Sequence, residues 1–360
     1  MTFKERIQSG LEGKFKGLSN GLQRVNKFIF GIQRSCYYLI GALSGGGKST
    51  LVDYMLLNAI QDAEKQSIPI NVHYYSLEID GVSKKANWLS VLIYQKYKRV
   101  ISPETIKGLG DFRLTVEEQE IVNSELEELE KIWSKIHWYW ESINPTGIYN
   151  NLWKFMDSRG TFEKEKYTDK DGAIKERIVR FTNNNPEEYN IVVLDHLYLL
   201  KLEKRDGQMF TFKANIDKYS EYCVALRNLF GLTFLNIQQF NQGLSSVERQ
   251  KFKGVDISPQ QSDFKDTTNP YQDCDIALGL LNGHKMDMET CIGYNINVAG
   301  ASYNLKDRFR MLKIIKNRLS RDNIAIGLLF QAEAGRFEEL PMSKDINQQH
   351  IIKFNQFLQR

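Results

Sequence analysis

The sequence lacks the features that mark membrane, secreted and metal-stabilised proteins. Its 360 residues include four cysteines, Cys36, Cys223, Cys274 and Cys291, whose spacing fits neither a disulfide framework nor a metal site. No apolar run approaches the roughly 20 residues that cross a bilayer, and the first residues, "MTFKERIQSG", lack the apolar core of a secretory signal. These absences predict a cytoplasmic protein with no membrane partner.

An excess of charge of one sign is also missing. The chain has 48 basic and 44 acidic residues, which gives a net charge of only +4. Binding to nucleic acid must therefore come from groups placed locally and not from a global basic field. With 42% hydrophobic residues, the chain can bury a large core, as two small domains or as one large domain with insertions. The order of the motifs favours one large domain.

What the sequence does contain is a strand, a glycine-dense turn and a helix in succession. The apolar run "CYYLIGAL" leads into "ALSGGGKST", and "TLVDYMLLNAIQDAEKQ" has helical spacing. A second strand, "NVHYYSLEI", follows within thirty residues, which is the βαβ rhythm of a parallel sheet. Further buried strands are predicted at "IHWYWES", "NIVVLDHLYLL", "LTFLNIQQ" and "DIALGLLN". The fold class predicted is α/β, with a mainly parallel sheet flanked by helices.

Other patterns divide the chain into an arm, a central domain and a tail. Apolar residues every four positions predict an amphipathic helix over Phe3 to Leu11, within an arm over 1–16. The central domain, 17–340, carries helices after the Thr115/Glu118 capping box and over Phe212 to Phe230, and two strands near its end. Residues 160–186, with Asp171-Gly172 as turn, predict an inserted, exposed β-hairpin. The tail, 341–360, carries a capped helix over Asp345 to Leu358.

The glycine-dense turn has the chemistry of a phosphate-binding loop. Gly45, Gly46 and Gly47 let successive backbone N–H groups surround a phosphate at a helix N-terminus, where the helix dipole favours negative charge. Lys48 would reach the β- and γ-phosphates, and Ser49 would offer its hydroxyl to Mg²⁺. The alternative is a structural glycine loop. We predict ATP and Mg²⁺ as cofactors, with a binding segment of Ala42, Ser44, Gly45, Gly46, Gly47, Lys48, Ser49 and Thr50.

Three polar residues at predicted strand ends are candidates for the rest of the site. Asp195 ends a buried strand and would bind Mg²⁺ directly or through an intervening ligand; it could otherwise cap the next turn. Glu78 could orient or deprotonate the attacking water, although taken alone it is typical of a surface glutamate. Gln239 could sense the γ-phosphate through its amide, although alone it is typical of a strand-edge glutamine.

Together these stretches resemble the ATPase domain of DnaB-type replicative DNA helicases, a branch of the RecA-like hexameric P-loop enzymes. The resemblance runs from about Gly17 to Phe337 and includes an alanine typical of the family at Ala42. "SLEI" is similar to the family's Ser-Leu-Glu-Met, which implies that Glu78 is the catalytic base. "VVLDHLYL" resembles the metal-binding strand and "IQQFNQ" the sensor strand, which implies metal binding by Asp195 and γ-phosphate sensing by Gln239.

Two further motifs share this resemblance and imply contacts with DNA and with a neighbouring subunit. "SDFKDTTNPYQDCDIAL" resembles the family's channel loop, which implies that Lys265, Asp266 and Thr268 contact DNA phosphates, largely through backbone amides. Family members have arginine at Lys265 and glycine at Thr268, a departure that would weaken this grip. "KNR" resembles the family's Lys-Gln-Arg, which implies that Lys316 and Arg318 reach the neighbour's ATP, with Arg318 as arginine finger. As an isolated pair, they would be ordinary turn charges.

The resemblance implies a homohexamer that uses ATP to move along single-stranded DNA during replication and expels the other strand. The helical collar domain that meets primase in the family is expected to be missing, because only about fifteen residues precede the match; this points to a phage or mobile-element protein. The helix Phe3 to Leu11 occupies the place of the family's linker helix, which docks on the adjacent subunit, while loader and primase partners stay open.

The alternative is a RecA-like DNA-dependent ATPase that does not unwind: a recombination mediator, loader or regulatory switch. A scaffold that hydrolyses nothing is a third interpretation, against which Glu78 counts.

Overall fold

Nine strands form one mixed sheet at the centre of the protein. The computed structural model describes residues 3–11, 13, 15–241, 243, 257–264 and 269–358. The strands of the sheet are β1 (Tyr37–Ala42), β2 (Ile70–Ser76), β3 (Ile136–Tyr139), β6 (Tyr189–Asp195), β9 (Thr233–Gln239), β10 (Ile276–Leu281), β13 (Phe309–Asn317), β14 (Ile324–Gln331) and β15 (Arg336–Glu339). Their order in the sheet is β15-β14-β13-β10-β1-β9-β6-β2-β3. The six strands from β10 to β3 are parallel to one another, and the last three in sequence add antiparallel at one edge.

Helices flank this sheet, and the bounds of α3, α6 and α8 follow the sequence signals. They are α1 (Phe3–Leu11), α2 (Gln23–Ile29), α3 (Lys48–Lys65), α4 (Gly81–Tyr97), α5 (Pro103–Lys107), α6 (Val116–Trp133), α7 (Pro145–Asp157), α8 (Phe212–Phe230), α9 (Asn269–Asp273) and α10 (Gln348–Leu358). The capping box predicted at Thr115 and Glu118 starts α6, and Gly231 ends α8 in the left-handed conformation. None of the helices in the described ranges is long and apolar enough to cross a membrane.

The sheet is buried on both faces, so its two sides face two separate clusters of apolar side chains. Along β1, Tyr38 and Ile40 point into one cluster, while Tyr37 and Leu39 point into the other. This alternation follows from the two-residue period of a strand. A parallel sheet covered by helices on both faces brings the carboxyl ends of its strands to one edge, where ligands bind in such folds.

The predicted hairpin insertion is present as β4 (Gly160–Thr168) and β5 (Ile174–Asn183). Its base is fixed by Phe162 and Phe181, whose rings pack against Phe230 of α8, while most of its length is exposed. Two further hairpins are short: β7 (Lys204–Arg205) with β8 (Gln208–Met209), and β11 (Thr290–Cys291) with β12 (Tyr294–Asn295).

The terminal helix begins later than the sequence suggested. Residues Ser343–Asp345 form a 3₁₀ turn, and α10 starts only at Gln348. The Oδ1 atom of Asn347 accepts a hydrogen bond from the His350 N–H at 3.1 Å, which caps the helix at this point. Phe354 packs its buried ring against Tyr303, so the helix lies on the body of the protein. The division into arm, domain and tail stays a prediction.

Candidate active site

The glycine-dense turn connects β1 to α3 at the carboxyl edge of the sheet. Ala42 ends β1 in a fully buried position, and α3 begins at Lys48. Gly45 and Gly47 have positive φ angles, 64° and 97°, and a Cβ on Gly46 would lie 2.9 Å from the Leu43 carbonyl oxygen. The loop therefore needs glycine both for its backbone angles and for space, as a phosphate cradle at a helix N-terminus does. Ser44 and Thr50 flank this cradle on the loop and on the first turn of α3.

Ser49 and Asp195 meet below this loop. The Ser49 Oγ donates a hydrogen bond to Oδ1 of Asp195 at 2.9 Å, and the Asp195 side chain is wholly buried at the end of β6. Among the described residues its Oδ2 has no hydrogen-bond partner, and it lies 3.6 Å from the Lys84 Nζ. A hydroxyl beside a carboxylate with an unpartnered buried oxygen fits Mg²⁺, which keeps waters and takes its other ligands from substrate phosphates. Within the described ranges no three His, Cys, Asp or Glu side chains cluster to hold a metal by themselves.

Glu78 stands in the loop after β2, the strand beside β6. Its side chain is 47% exposed, and Oε2 lies 3.9 Å from the Nε2 of His196, the residue after Asp195. Burial, and after it the Lys48 ammonium, lowers the pKa of His196. A neutral imidazole forms no ion pair with Glu78, so the carboxylate stays available to a water. The structure thus brings Glu78, Lys48 and Asp195 to one neighbourhood and adds His196, which sequence reasoning missed.

Gln239 lies directly beside the start of the phosphate loop. It ends β9 and pairs in register with Ala42 of β1, and the next N–H, of Phe240, donates to the Ala42 carbonyl at 2.9 Å. Phe240 in turn bridges to Phe264, with ring centroids 5.1 Å apart. The predicted DNA contacts Lys265, Asp266 and Thr268 follow immediately and lie outside the described residues. Their attachment point is therefore close to the candidate γ-phosphate sensor.

Lys316 and Arg318 lie at the opposite end of the sheet. Arg318 donates its backbone N–H to the Asp275 carbonyl at 2.9 Å, and Asp275 also accepts from the N–H of Tyr37, the first residue of β1. The phosphate loop begins after the last residue of that strand, so about 20 Å separate the two at roughly 3.3 Å per residue. The side chains of both residues bind carbonyls of their own chain: Lys316 those of Tyr271 and Gln272, and Arg318 those of Gln272 and Asp273.

The sequence patterns missed a buried ionic network behind Asp195. Lys84 of α4 has no exposed side-chain surface, and its Nζ donates to both carboxylate oxygens of Asp53 at 3.0 and 2.8 Å and to the Tyr74 hydroxyl at 2.8 Å. Arg310, at the start of β13, is also buried and donates to the Gly46 carbonyl. For Arg310 the signal that could have found it is a charged residue inside an apolar run, "FRMLKII", whereas Lys84, in "GVSKKAN", has no such signal.

Comparison with known proteins places this site in a family. A family model described as the DnaB-like helicase C-terminal domain matches residues 17–339. One solved structure, described as an ATPase domain, superposes with a TM-score of 0.66 at 16% identity, over 94% of this chain and 99% of that one. A second solved structure is described as that of a DnaB-like replicative helicase and its interactions with primase. It superposes with a TM-score of 0.65 at 17% identity, over 95% of this chain and 67% of that one. No curated protein sequence matches. The structural likenesses show the α/β RecA-like fold, and because the family model covers most of its length, the chain belongs to the DnaB-like helicase C-terminal domain family, a family of helicase-type ATPases.

Proposed function

We propose that this protein is an ATP-dependent DNA helicase that works as a ring, most simply a hexamer, and moves along single-stranded DNA. The observation that supports it best is the separation of the two halves of the site. The phosphate loop, Ser49, Asp195 and Glu78 lie at one end of the sheet, while Lys316 and Arg318 lie at the other. No subunit can apply its own Arg318 to its own nucleotide, so the site would be completed by a neighbour.

Within one subunit, each side chain has a separate task in hydrolysis. Lys48, at the first position of α3, supplies a cation to the β- and γ-phosphates, and the Gly47 N–H and its neighbours bind the phosphate oxygens. Ser49 and Asp195 would hold Mg²⁺, which offsets charge on the phosphate oxygens. Glu78, exposed and close to the neutral His196, orients the attacking water and accepts its proton. Gln239, which pairs with Ala42 at the start of the loop, would contact the γ-phosphate.

Arg318 can exchange its present partners at low cost. Its guanidinium is half-exposed, and its acceptors are two backbone carbonyls and the Asp275 carboxylate at 3.3 Å. Asp275 also pairs with Arg227, at 2.7 Å, and so keeps a cation if Arg318 leaves, whereas a phosphoryl group offers Arg318 bidentate, charge-assisted bonds. A neighbouring subunit's γ-phosphate therefore competes well for this side chain.

DNA contact would follow from the segment anchored beside Gln239. Phe240 and Phe264 pack on each other and over Gly41 of β1, where a Cβ would lie 2.1 Å from the Phe240 ring. A shift of Gln239 on loss of the γ-phosphate would be passed through this contact to Lys265, Asp266 and Thr268. Backbone N–H groups in such a loop bind phosphates without reading sequence.

Hydrolysis and strand displacement together test the proposal. We expect ATPase activity that rises strongly with single-stranded DNA, displacement of one strand from a forked duplex, and a ring-sized mass with ATP and an oligonucleotide. Lys48→Ala should abolish hydrolysis, and full activity in that variant would remove the phosphate-loop assignment. Stimulation without displacement would favour the non-unwinding DNA-dependent ATPase, such as a mediator or loader, and absence of both would leave a nucleotide-binding scaffold.

A further inference from the structure

Arg310 is an arginine at the nucleotide site that none of the motifs includes. It is the second residue of β13 and is 2% exposed. Its Nε donates to the carbonyl oxygen of Gly46 at 3.0 Å, and its Nη1 donates to the carbonyls of Asp307 and Phe309 at 2.5 and 2.8 Å. A wholly buried guanidinium thus joins the sheet to the middle of the phosphate loop.

The bond to Gly46 fixes the direction of a neighbouring donor. The Gly46 carbonyl and the Gly47 N–H belong to one trans peptide unit, in which the two groups point in opposite directions. Because Arg310 holds the carbonyl oxygen, the Gly47 N–H points away from Arg310. Gly47 has a φ angle of 97°, which a glycine adopts easily because it has no Cβ. Its own backbone therefore does little to fix the orientation of this peptide unit.

The side chains around Arg310 also connect it to the phosphate loop. The guanidinium lies over the Phe330 ring, 4.7 Å from its centroid, and the same ring lies 3.7 Å from the place of a Cβ on Gly47. Its closest carboxylate contact in the described part of the chain is Oδ1 of the exposed Asp307, at 3.8 Å. Burial lowers the pKa of Arg310 to about 10, so the group still carries its charge at neutral pH.

We propose that Arg310 is a positioning residue of the nucleotide site, which holds the Gly46 carbonyl so that the Gly47 N–H faces the phosphates, and which adds a fixed positive charge behind the loop. The inference rests on the proposed ATP site. Burying an arginine with little carboxylate compensation is costly, so this side chain adds little net stability. The arginine is therefore better explained by phosphate binding than by folding.

The test compares Arg310→Met with two reference variants. Methionine keeps the contact with Phe330 and removes the charge and the donor. Arg308→Met is the matched control, because Arg308 lies two residues away, pairs with Glu333 and does not touch the loop carbonyl. Lys48→Ala reports on the proposed ATP site itself. For each protein, the dissociation constants of ATP and ADP with Mg²⁺, the KM and kcat of hydrolysis, and the melting temperature are measured.

We expect Arg310→Met to bind ATP and ADP about ten- to a hundredfold more weakly, the range for losing a charge-assisted hydrogen bond, with KM raised alike and kcat changed far less. Its melting temperature should change little, and Arg310→Lys should recover part of the affinity. Unchanged affinity in Arg310→Met, with Lys48→Ala still defective, would overturn this inference alone. Unchanged binding in Lys48→Ala would instead overturn the ATP site. If Arg310→Met does not fold, Arg310→Gln takes its place; it removes the charge but keeps an amide donor, so a smaller weakening is expected, and unchanged affinity would still overturn the inference.

Discussion

Lys84 has no exposed side-chain surface, and its ammonium forms ion pairs with two buried carboxylates. It lies 2.8 Å from an Asp53 oxygen and 3.6 Å from Oδ2 of Asp195, the candidate metal ligand. Desolvation raises the pKa of Asp53 in spite of this cation. Without Lys84, two carboxylates would share a dry region with only Tyr74 and Ser49 as donors. The lysine therefore makes a buried Asp195 possible before any metal binds.

Lys84→Met should lower the free energy of unfolding by about 3 to 5 kcal/mol, because it leaves buried negative charge without a cation. Lys85→Met is the matched control, since its ammonium pairs with Glu130 in an exposed position and should contribute at most about 1 kcal/mol. Urea denaturation of both variants measures the difference. Equal losses in the two would show that the buried network has no special role in stability.

His73 makes stability depend on pH. Burial, and after it the neighbouring His137, lowers the pKa of His73 to about 3, and the ring stacks on His137 at 4.7 Å. Below about pH 6.5 the unfolded chain binds a proton at this residue that the folded protein does not, so stability falls as the pH falls toward 3. For one such group the slope approaches about 1.4 kcal/mol per pH unit.

His73→Phe should therefore flatten the dependence of unfolding free energy on pH between about 6.5 and 4, by up to that slope. Denaturation at several pH values gives the unfolding free energy of both proteins as a function of pH. The difference between the wild-type and variant free energies should change as the pH is lowered. Parallel curves would mean that His73 is protonated in the folded protein and that other groups cause any acid sensitivity.

At the residue scale, sequence predicted the parts of the site that belong to local motifs. Lys48, Ser49 and the glycines follow one another in the chain, and Asp195 and Glu78 end apolar runs, so a pattern of a few residues locates them. Lys84 and Arg310 reach the site from distant elements, and Arg310 is 264 positions away from its acceptor Gly46. No local pattern records such a contact, because it depends on the order of strands in the sheet.

At the element scale, periodicity predicted the strands and most long helices, and it failed where packing removes periodicity. In α4 the buried residues run without a gap from Trp88 to Ile93, so the helix has no regular apolar stripe and was not predicted. The short β15 was also missed, since Arg336–Glu339 has too few apolar residues to be recognised as a strand and depends on pairing with β14. The α6 capping box and the 160–186 hairpin have local signals and were predicted correctly.

The helix α1 presents an apolar face to solvent. Phe3, Ile7 and Leu11 are 81%, 52% and 79% exposed. Three apolar residues on one face of a short helix are typical of a surface that another molecule covers. In the proposed ring, that molecule is the adjacent subunit.

Changing Phe3, Ile7 and Leu11 to serine should therefore weaken assembly while leaving the melting temperature of the isolated subunit unchanged. Native mass measurement with ATP should show a shift from the ring toward monomers at equal concentration. The control replaces a second exposed apolar set with serine, namely Leu109, Phe112 and Val116. If both sets of substitutions reduce assembly alike, the cause is a general loss of surface apolarity, and α1 has no specific binding site on the adjacent subunit.

At the scale of the whole molecule, the sheet determines what one subunit can do alone. The parallel strands gather the phosphate loop, Asp195 and Glu78 at their carboxyl ends, and the antiparallel β13 carries the chain from Arg310 at that end to Arg318 at the other. In the proposed ring, this one strand would connect the phosphate loop of a subunit to the residue that acts on its neighbour's nucleotide. A movement at the loop can be passed to the next interface along a rigid element.

Mixing two inactive variants tests this arrangement directly. Arg318→Ala should keep ATP binding nearly intact and lose turnover by about 10³-fold or more, as expected for an arginine finger. Glu78→Ala should lose turnover in its own subunit. In mixed rings, an intact Glu78 on one subunit can face an intact Arg318 on the next, so part of the activity should return, with a maximum near equal proportions. Rings of either variant alone, prepared in the same way, give the baseline. If the mixture stays at that baseline while native mass shows mixed rings, Arg318 does not act on the neighbour's nucleotide, and its bonds to Gln272, Asp273 and Asp275 are its function.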